Sequence, residues 1–390
     1  MKRQILLTLG IVLIVNGLLG LGYFLINNYF QIVPDSNWTW NIVVAQQQKI
    51  ITQKVTRTEN ISSVQSKIIQ TVKDLSNSVV SIVISKNLNV YYYADPFSLR
   101  PYVETEKKKV GGGSWIIVSK DGYILTNKHV VADLDADYSV VTKNWDVYKV
   151  DKIWTDPVLD LAVIHVVKEN GEPVYDLQPA SITDVNSKNP IWEFVIAIWN
   201  ALAEYSNTVT LWILSAKWRH LDNNNGSLYI GLYQTDAAIN PWNSGGPLIN
   251  LNEEVIWVNT AITVDWQGIG FAIPISKQLV EATLDSIKKY GAIKRPLLGI
   301  QFIQINKAIA KKYQLPAYKW VLVQNVIPNS PAFIAWIKKW DIILQIDWHD
   351  ITTDSPIIYR LFTHQIGDTV DLLINRNGKL IEKKVKLFEW

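Results

Sequence analysis

The sequence predicts a mainly β protein in which two β-rich units follow an N-terminal membrane-spanning helix. From Val79 to Ile273, short runs of β-branched and aromatic residues alternate with turns, which is the pattern of an all-β barrel or sandwich. A second and smaller set of such runs begins after Arg295. Ahead of both units, Ile5 to Ile26 form an uncharged, mostly apolar run that is long enough to cross a bilayer as a helix.

The apolar run is interpreted as an uncleaved signal anchor within residues 1–30. Lys2 and Arg3 precede it and favour a cytoplasmic N-terminus, so the rest of the chain is expected outside the cytoplasm. A cleaved signal peptide is the alternative, although its apolar core is usually shorter. Residues 31–75 are expected to be a polar tether that ends in a helix, because apolar side chains recur at helical spacing from Ile61 to Leu75.

Residues 76–292 form the larger β-rich unit. Residues 88–109, which are tyrosine-rich and then charged, are expected to be a long loop. Helical spacing returns from Ser276 to Tyr290 and closes the unit. The strand-like runs are Val79–Ile84, Ile116–Val118, Tyr123–Thr126, Leu161–Ile164, Phe194–Ile198, Val209–Leu211, Val255–Ile256 and Phe271–Ile273.

Residues 293–390 form the second unit, whose order of elements is typical of a small β-sandwich capped by helices. Short helices are expected at Ser330–Ile337 and Ile357–His364. The strand-like runs are Leu298–Ile300, Val321–Val323, Ile342–Ile346 and Val370–Ile374.

The composition narrows the classes of function. The formal net charge is +3 and no basic tract is dense enough for nucleic-acid binding, since the longest basic run is Lys107 to Lys109. The absence of cysteine excludes disulfides, thiolate metal sites and a cysteine nucleophile. We expect no metal and no organic cofactor.

Three segments indicate a serine nucleophile with an activating base. Ser244 is followed by Gly-Gly-Pro, and glycine lets a backbone approach a substrate closely because it lacks a Cβ. A serine hydroxyl needs a base to remove its proton, and that base must itself be oriented. His129 directly follows a strand-like run and Asp160 directly precedes another. The chain order His129, Asp160, Ser244 is the chymotrypsin order.

These segments resemble the HtrA/Deg family of serine proteases, and the resemblance runs from about Val79 to the C-terminus. It implies a chymotrypsin-like double β-barrel protease domain over residues 76–292, a PDZ domain over residues 293–390, and a homotrimer. PDZ domains bind an extended peptide as an added strand. The matching stretches are Thr126–Val131, Asp156–Val163, Thr235–Leu248 and Gly270–Pro274.

The resemblance also assigns catalytic roles. Ser244 would attack the scissile carbonyl, His129 would act as general base and then as general acid, and Asp160 would orient the imidazole. The backbone N–H groups of Ser244 and Trp242, with that of Asn243 nearby, would form the oxyanion hole.

Further assignments concern specificity and regulation. No acid lies in the matching pocket wall, so a small aliphatic P1 residue is expected, and Asp236 is expected to support its loop. Arg219 matches a family residue that relays activation, and a solvated surface arginine is the alternative. The resemblance places the PDZ peptide-binding segment at Leu298, Gly299 and Ile300. It places the substrate-pocket wall at Ala238, Ile239, Ile269 and Phe271.

Tryptophan is abnormally frequent and stands where glycine is expected. The chain holds 17 tryptophans and only 19 glycines, whereas glycine averages about 7% of residues in proteins. Many of the tryptophans lie in turn or strand-packing contexts, and in the family pattern glycine occupies nearly all of these positions, Trp242 included. One hypothesis explains them together. The source bacterium reads the UGA codon as glycine, whereas the sequence as written was translated with UGA read as tryptophan. The alternative is a truly tryptophan-rich protein, which would carry strain wherever a positive φ is needed.

The expected function is ATP-independent endoproteolysis of unfolded or damaged exported proteins by a membrane-anchored enzyme. The exposed C-termini of such substrates are candidate PDZ ligands. An inactive binding or chaperone-like relative is one alternative, because a real Trp242 side chain would disturb the oxyanion hole. A regulatory protease that cuts one signalling partner is the other.

Overall fold

The computed structural model describes residues 31–34, 40–43, 63–92 and 102–389, apart from positions 188, 202–204, 223–227, 238, 240–242, 261–268, 316–318 and 353–354. The membrane anchor expected at residues 5–26 lies outside these described residues. Among the helices that are described, none combines the length and the apolarity needed to cross a bilayer.

The chain divides into two units, residues 1–67 and residues 68–390. In the first unit, β1 (Gln31–Pro34) pairs antiparallel with β2 (Trp40–Val43). The expected helix is present as α1 (Ser63–Leu75), most of which belongs to the second unit, and a short 3₁₀ helix, Ser76–Ser78, follows it before the first barrel.

The first barrel is closed and six-stranded, in the order β3-β4-β5-β8-β7-β6. Pairing of β3 with β6 closes it. Alternate strand positions send Val80, Ile82, Ile117 and Ile164 inward to a core from which water is excluded. The strands are β3 (Val79–Tyr92), β4 (Tyr102–Ile117), β5 (Tyr123–Thr126), β6 (Asp137–Val141), β7 (Val147–Thr155) and β8 (Ala162–Lys168).

The prediction of a loop at residues 88–109 is wrong, because much of this segment belongs to a long hairpin. The strands β3 and β4 remain paired out to Tyr92 opposite Tyr102. Residues 87–89 and 107–109 are exposed, so this part of the hairpin forms without a buried face. Backbone hydrogen bonds between the strands need no alternation of apolar side chains, and the sequence therefore carries no strand period there.

The second barrel is also closed and six-stranded, in the order β10-β11-β14-β13-β12-β9. The expected helix at its end is α2 (Lys277–Tyr290), which begins where the Ser276 hydroxyl accepts a hydrogen bond from the Leu279 N–H. The strands are β9 (Phe194–Ala201), β10 (Tyr205–Asp222), β11 (Leu228–Thr235), β12 (Pro247–Asn250), β13 (Val255–Thr260) and β14 (Gly270–Pro274).

The C-terminal domain is a sheet in the order β16-β17-β18-β20-β21, with β19 paired to β18. The first and last strands of the domain, β15 and β22, pair with each other and form a separate two-stranded sheet. The sheet strands are β16 (Ile300–Gln304), β17 (Val321–Val326), β18 (Ile342–Ile346), β19 (His349–Asp350), β20 (Thr369–Arg376) and β21 (Lys379–Lys386), and the outer pair is β15 (Pro296–Leu297) and β22 (Phe388–Glu389).

Three helices accompany this sheet. The two expected helices are present but shorter, as α4 (Pro331–Ile334) and α5 (Ile357–Leu361). A third helix, α3 (Lys307–Tyr313), was not expected from the sequence, although Asn306 supplies a side-chain cap for it.

The backbone supports glycine at many tryptophan positions. An L-residue with a left-handed backbone costs roughly 1–2 kcal/mol. Four buried indole N–H groups, those of Trp115, Trp212, Trp218 and Trp257, also find no acceptor among the described residues. Glycine would remove both the backbone strain and the unpaired indole N–H groups. We therefore retain the hypothesis that UGA encodes glycine in the source bacterium. The tryptophans with positive φ are Trp145, Trp192, Trp218, Trp320, Trp336, Trp340 and Trp348.

We predict that glycine at three exposed, left-handed positions raises the free energy of unfolding. The combined variant is Trp145→Gly, Trp336→Gly and Trp348→Gly. Each change relieves about 1–2 kcal/mol of strain and loses about 0.5–1 kcal/mol to the greater backbone freedom of glycine. Urea unfolding should show a net gain of ~2 kcal/mol, the sum of three such differences.

The control is Tyr175→Gly, an aromatic residue that is 73% exposed and is not among the positive-φ positions. Glycine should lower stability there. Destabilisation by the triple variant would contradict the argument from strain. The intact mass of the protein from its native host tests the hypothesis directly, and a mass that matches tryptophan would reject it.

Candidate active site

His129 and Asp160 meet at one end of the first barrel. The strands β5 and β8 pair antiparallel, with Thr126 opposite Ala162, so the residues just after β5 lie beside those just before β8. His129 lies in a 3₁₀ helix directly after β5. Its Nδ1 is 2.7 Å from Asp160 Oδ2, and its backbone N–H donates to Asp160 Oδ1 over 3.1 Å. This pairing orients the imidazole through Nδ1, as the predicted role of His129 as a general base requires.

Neighbouring side chains hold the aspartate turn against the histidine segment. The Asn127 side-chain amide donates to the Asp160 carbonyl over 3.0 Å, and the Lys128 N–H reaches the same carbonyl over 3.3 Å. The Lys128 ammonium donates to the Asp156 carbonyl over 3.2 Å. Asn127 is fully buried, so its bond is protected from competing water.

Thr260 is a partner of Asp160 that sequence reasoning did not find. Its hydroxyl lies at the end of β13, in the second barrel, and donates to Asp160 Oδ2 over 3.1 Å. The same carboxylate oxygen therefore contacts both the His129 ring and a donor from the other barrel. A threonine that is distant in sequence carries no motif, and only the packing of the two barrels reveals this contact.

The Ser244 loop is tied to the same strand as Thr260. The Gly245 N–H donates to the Asn259 carbonyl, and the Asn259 N–H donates to the Gly246 carbonyl, both over 2.9 Å. Ser244 is fully buried. These bonds bring the predicted nucleophile to the barrel interface where Asp160 receives the Thr260 hydroxyl.

Gly245 shows why the motif requires glycine. Its φ is +83°, and a Cβ at this position would overlap the Thr126 hydroxyl at the end of β5. Glycine alone permits this close approach of the serine loop to the strand that leads to His129.

The predicted oxyanion hole is only partly described. Trp242 lies outside the described residues. Asn243 and Ser244 are 2% and 0% exposed and occupy a turn in which the Gly246 N–H donates to the Asn243 carbonyl over 3.1 Å. Their role in stabilising an oxyanion stays a prediction.

Of the four predicted pocket residues, Ile239, Ile269 and Phe271 lie around the start of β14. Ala238 is outside the described residues. Ile269 is 36% exposed, whereas Phe271 is 4% exposed and packs in the core. A Cβ on Gly270 would overlap Ile239 Cγ1, which places the two wall segments in direct contact. Their role in substrate specificity stays a prediction.

Two charged residues of the second barrel, Asp236 and Arg219, were assigned structural or regulatory roles from the sequence. Asp236 accepts a hydrogen bond from the Ile213 N–H over 2.9 Å, which agrees with the expected supporting role. Arg219 donates from Nε to Gln234 Oε1 over 3.2 Å, at an irregularity in the pairing of β10 with β11. The role of Arg219 in activation stays a prediction.

An apolar groove of about 800 Å³ lies along β16 and α5. Since β16 is the last strand in the sheet order, the described residues leave its outer edge without a strand partner. Gly299, just before β16, has a φ of +80°, and a Cβ there would overlap Ser330. Leu298, Gly299 and Ile300 all line this groove. An unpaired strand edge beside an apolar groove is the surface on which a peptide can add a strand.

Comparison with known proteins agrees with this architecture. Residues 113–256 match the family of trypsin-like peptidase domains, and residues 296–387 match a PDZ domain family. The serine protease Do-like HtrA of Bacillus subtilis is 33% identical over 83% of this chain and 73% of its own. The chain belongs to the HtrA family.

Other members of the HtrA family are similar over much of this chain. A probable periplasmic serine endoprotease, DegP-like, from Hahella chejuensis is 34% identical over 76% of this chain. The chain spans about 60% of the length of several such DegP-like relatives. A solved HtrA-type protease, AlgW with a decapeptide, has a TM-score of 0.56 at 27% identity and covers 82% of this chain and 98% of its own.

We predict that Thr260→Val lowers kcat for peptide hydrolysis about tenfold with little change in KM. The change deletes one hydrogen bond to a charged carboxylate, and such a bond is worth about 1.5–3 kcal/mol. Steady-state kinetics on a fluorogenic peptide measures both constants. The control is Thr142→Val, which also removes a threonine-to-aspartate bond, but in an exposed turn. Equal kcat values in the two variants would contradict the assignment of Thr260.

Proposed function

We propose that this HtrA-family chain is a serine endopeptidase that degrades unfolded or damaged proteins outside the cytoplasm. The observation that carries the proposal is the 2.7 Å contact of His129 Nδ1 with Asp160 Oδ2, beside the buried Ser244 loop. In the proposal the N-terminal apolar run anchors the enzyme in the membrane and three chains form a trimer. The periplasmic names of several relatives support the compartment.

The proposed mechanism is acyl transfer through a Ser244–His129–Asp160 triad. Ser244 Oγ attacks the scissile carbonyl carbon while its proton passes to His129 Nε2. Asp160, with its bond from Thr260, stabilises the imidazolium that forms. Backbone N–H groups of residues 242–244 stabilise the tetrahedral oxyanion. The intermediate then collapses, and His129 gives its proton to the leaving amine.

Water completes the proposed cycle. His129 Nε2 removes a proton from a water molecule as it attacks the acyl carbon, and the proton then returns to Ser244 as the ester breaks. The reaction consumes one water per peptide bond and requires no metal, nucleotide or organic cofactor.

The proposed substrates are extended chains with a small aliphatic P1 residue. The predicted pocket residues Ile239 and Ile269 are apolar and carry no charge that would attract lysine or arginine. The apolar groove at β16 would hold a hydrophobic C-terminus as an added strand. Unfolded proteins offer both an extended scissile segment and a free C-terminus, and compact native proteins usually do not.

Trp242 favours a second candidate, a peptide-binding relative without proteolytic activity. A bulky side chain on residue 242, whose own N–H is a predicted oxyanion donor, would disturb the hole while leaving the PDZ groove usable. We predict that a full-length Trp242→Gly variant cleaves unfolded casein and that adding Ser244→Ala abolishes this cleavage. Cleavage is followed by the release of acid-soluble peptides.

The outcomes of the casein assay separate the candidates. Absence of cleavage by both the parent chain and Trp242→Gly would reject the protease and favour the binding relative. Cleavage only after adding a PDZ-binding peptide would favour a regulatory protease instead. Cleavage that survives Ser244→Ala would reject the proposed nucleophile.

We predict that the groove binds peptides through their C-terminal carboxylate. A fluorescent peptide that ends in valine should bind the inactive Ser244→Ala chain at least about tenfold more tightly than its C-terminal amide, a difference of roughly 1.4 kcal/mol. Fluorescence anisotropy measures both affinities. Gly299→Ala should abolish the difference, because its Cβ would overlap Ser330.

The matched control for the peptide experiment is Gly378→Ala. Gly378 has a φ of +84°, similar to that of Gly299, but open space surrounds its would-be Cβ. Both substitutions strain the backbone, and only one obstructs the carboxylate-binding loop. Equal binding by the two variants would contradict the assigned site.

A further inference from the structure

Arg295 and Asp156 form a buried ion pair between the two domains. Asp156 follows β7 in the first barrel, and Arg295 directly precedes β15 at the start of the PDZ domain. Their side chains are 0% and 2% exposed, and Arg295 Nε donates to Asp156 Oδ2 over 2.7 Å. Burying a charge is costly unless it is paired, so removing either side chain would leave its partner as an uncompensated buried charge.

The second oxygen of Asp156 shapes the turn that carries Asp160. Asp156 Oδ1 accepts the N–H groups of Val158 and Leu159, over 2.8 Å and 2.9 Å. The Asp156 N–H donates to the Leu161 carbonyl over 2.9 Å and closes the turn. These three bonds make Asp156 the main hydrogen-bond partner of the turn that contains Asp160.

Arg295 is held in place by the C-terminal part of the molecule. Its Nη2 donates to the Thr283 hydroxyl in α2 over 2.9 Å. Its guanidinium lies over the Phe362 ring, 5.4 Å from the centroid, just after α5. The cation that orients Asp156 thus comes from outside the segment that matches a trypsin-like peptidase domain.

We propose that Arg295 is a positioning residue for catalysis, which acts through Asp156 to hold the Asp160 turn in register with His129. Without the guanidinium, only the two turn N–H groups orient the Asp156 carboxylate, and it carries an unpaired buried charge. The turn then relaxes, and the 2.7 Å contact of Asp160 with His129 is lost in part of the molecules. This inference rests on the proposed triad.

The test is kinetic and uses the full-length chain. Arg295→Met and Asp156→Asn should each lower kcat for a fluorogenic peptide at least about tenfold while KM stays within about twofold. The rate of covalent labelling of Ser244 by a fluorophosphonate should fall by the same factor as kcat. Arg295→Lys keeps the charge and should recover part of the loss. The double variant Arg295→Met/Asp156→Asn should lower kcat no further than either single variant does, because both substitutions break the same ion pair.

The matched control is Arg376→Met. Arg376 donates to the buried Asp341 over 2.7 Å, which is a similar ion pair but lies within the PDZ domain and away from the triad. This variant should keep the parental kcat. Circular dichroism and thermal unfolding identify the variants that fold at the assay temperature. If Arg295→Met does not fold, Asp156→Asn carries the kinetic test, because it keeps an acceptor for the turn N–H groups.

The two proposals fail in different ways. An unchanged kcat in the folded variants, a change confined to KM, or an equal loss in Arg376→Met would overturn the role of Arg295. If the parent chain itself takes no fluorophosphonate at Ser244, the proposed protease function fails, whatever Arg295 does.

Discussion

The buried carboxylate of Asp156 is the interaction on which the rest of the site depends. One of its oxygens holds the turn N–H groups that lead to Asp160, and the other receives Arg295 from the start of the next domain. Asp160 in turn contacts His129 and accepts a bond from Thr260 of the second barrel. Thr260 of the second barrel and Arg295 of the PDZ junction therefore both contact aspartates of one short turn in the first barrel. In our proposal, losing either contact alters the geometry of the proposed acid–base pair.

A second constraint is the set of backbone positions that only glycine occupies without strain. Gly245 and Gly299 have positive φ angles and neighbours that would overlap a Cβ, one beside the proposed nucleophile Ser244 and one in the apolar groove. Seven tryptophans share the left-handed backbone of these glycines. Since the fold requires a backbone of this kind at turns and bulges, these tryptophans are in conflict with the fold, and the conflict has its origin in the sequence as written.

Much of the site could be predicted because its chemistry lies in short, contiguous segments. His129 and Asp160 follow and precede apolar strands, and Ser244 stands before two glycines, so each segment is recognisable locally. Thr260 and Arg295 were missed for the opposite reason. They lie 100 and 139 residues from their aspartates, and a threonine at a strand end or an arginine at a domain junction has no local signature. The long hairpin was missed because residues 87–89 and 107–109, which pair within it, are exposed and carry no apolar alternation.

The sequence by itself determined the mainly β fold class, the order of the two domains, four of the helices and the three candidate catalytic residues. Those features depend on local periodicity and on residue types that few other structures tolerate. The tertiary structure alone decided that Thr260 of the second barrel contacts Asp160 and that Arg295, beside the PDZ domain, forms a buried ion pair with Asp156. Hydrogen bonds and ion pairs across domains depend on distances that only packing sets, and packing brings together residues whose separation along the chain gives no sign that they meet.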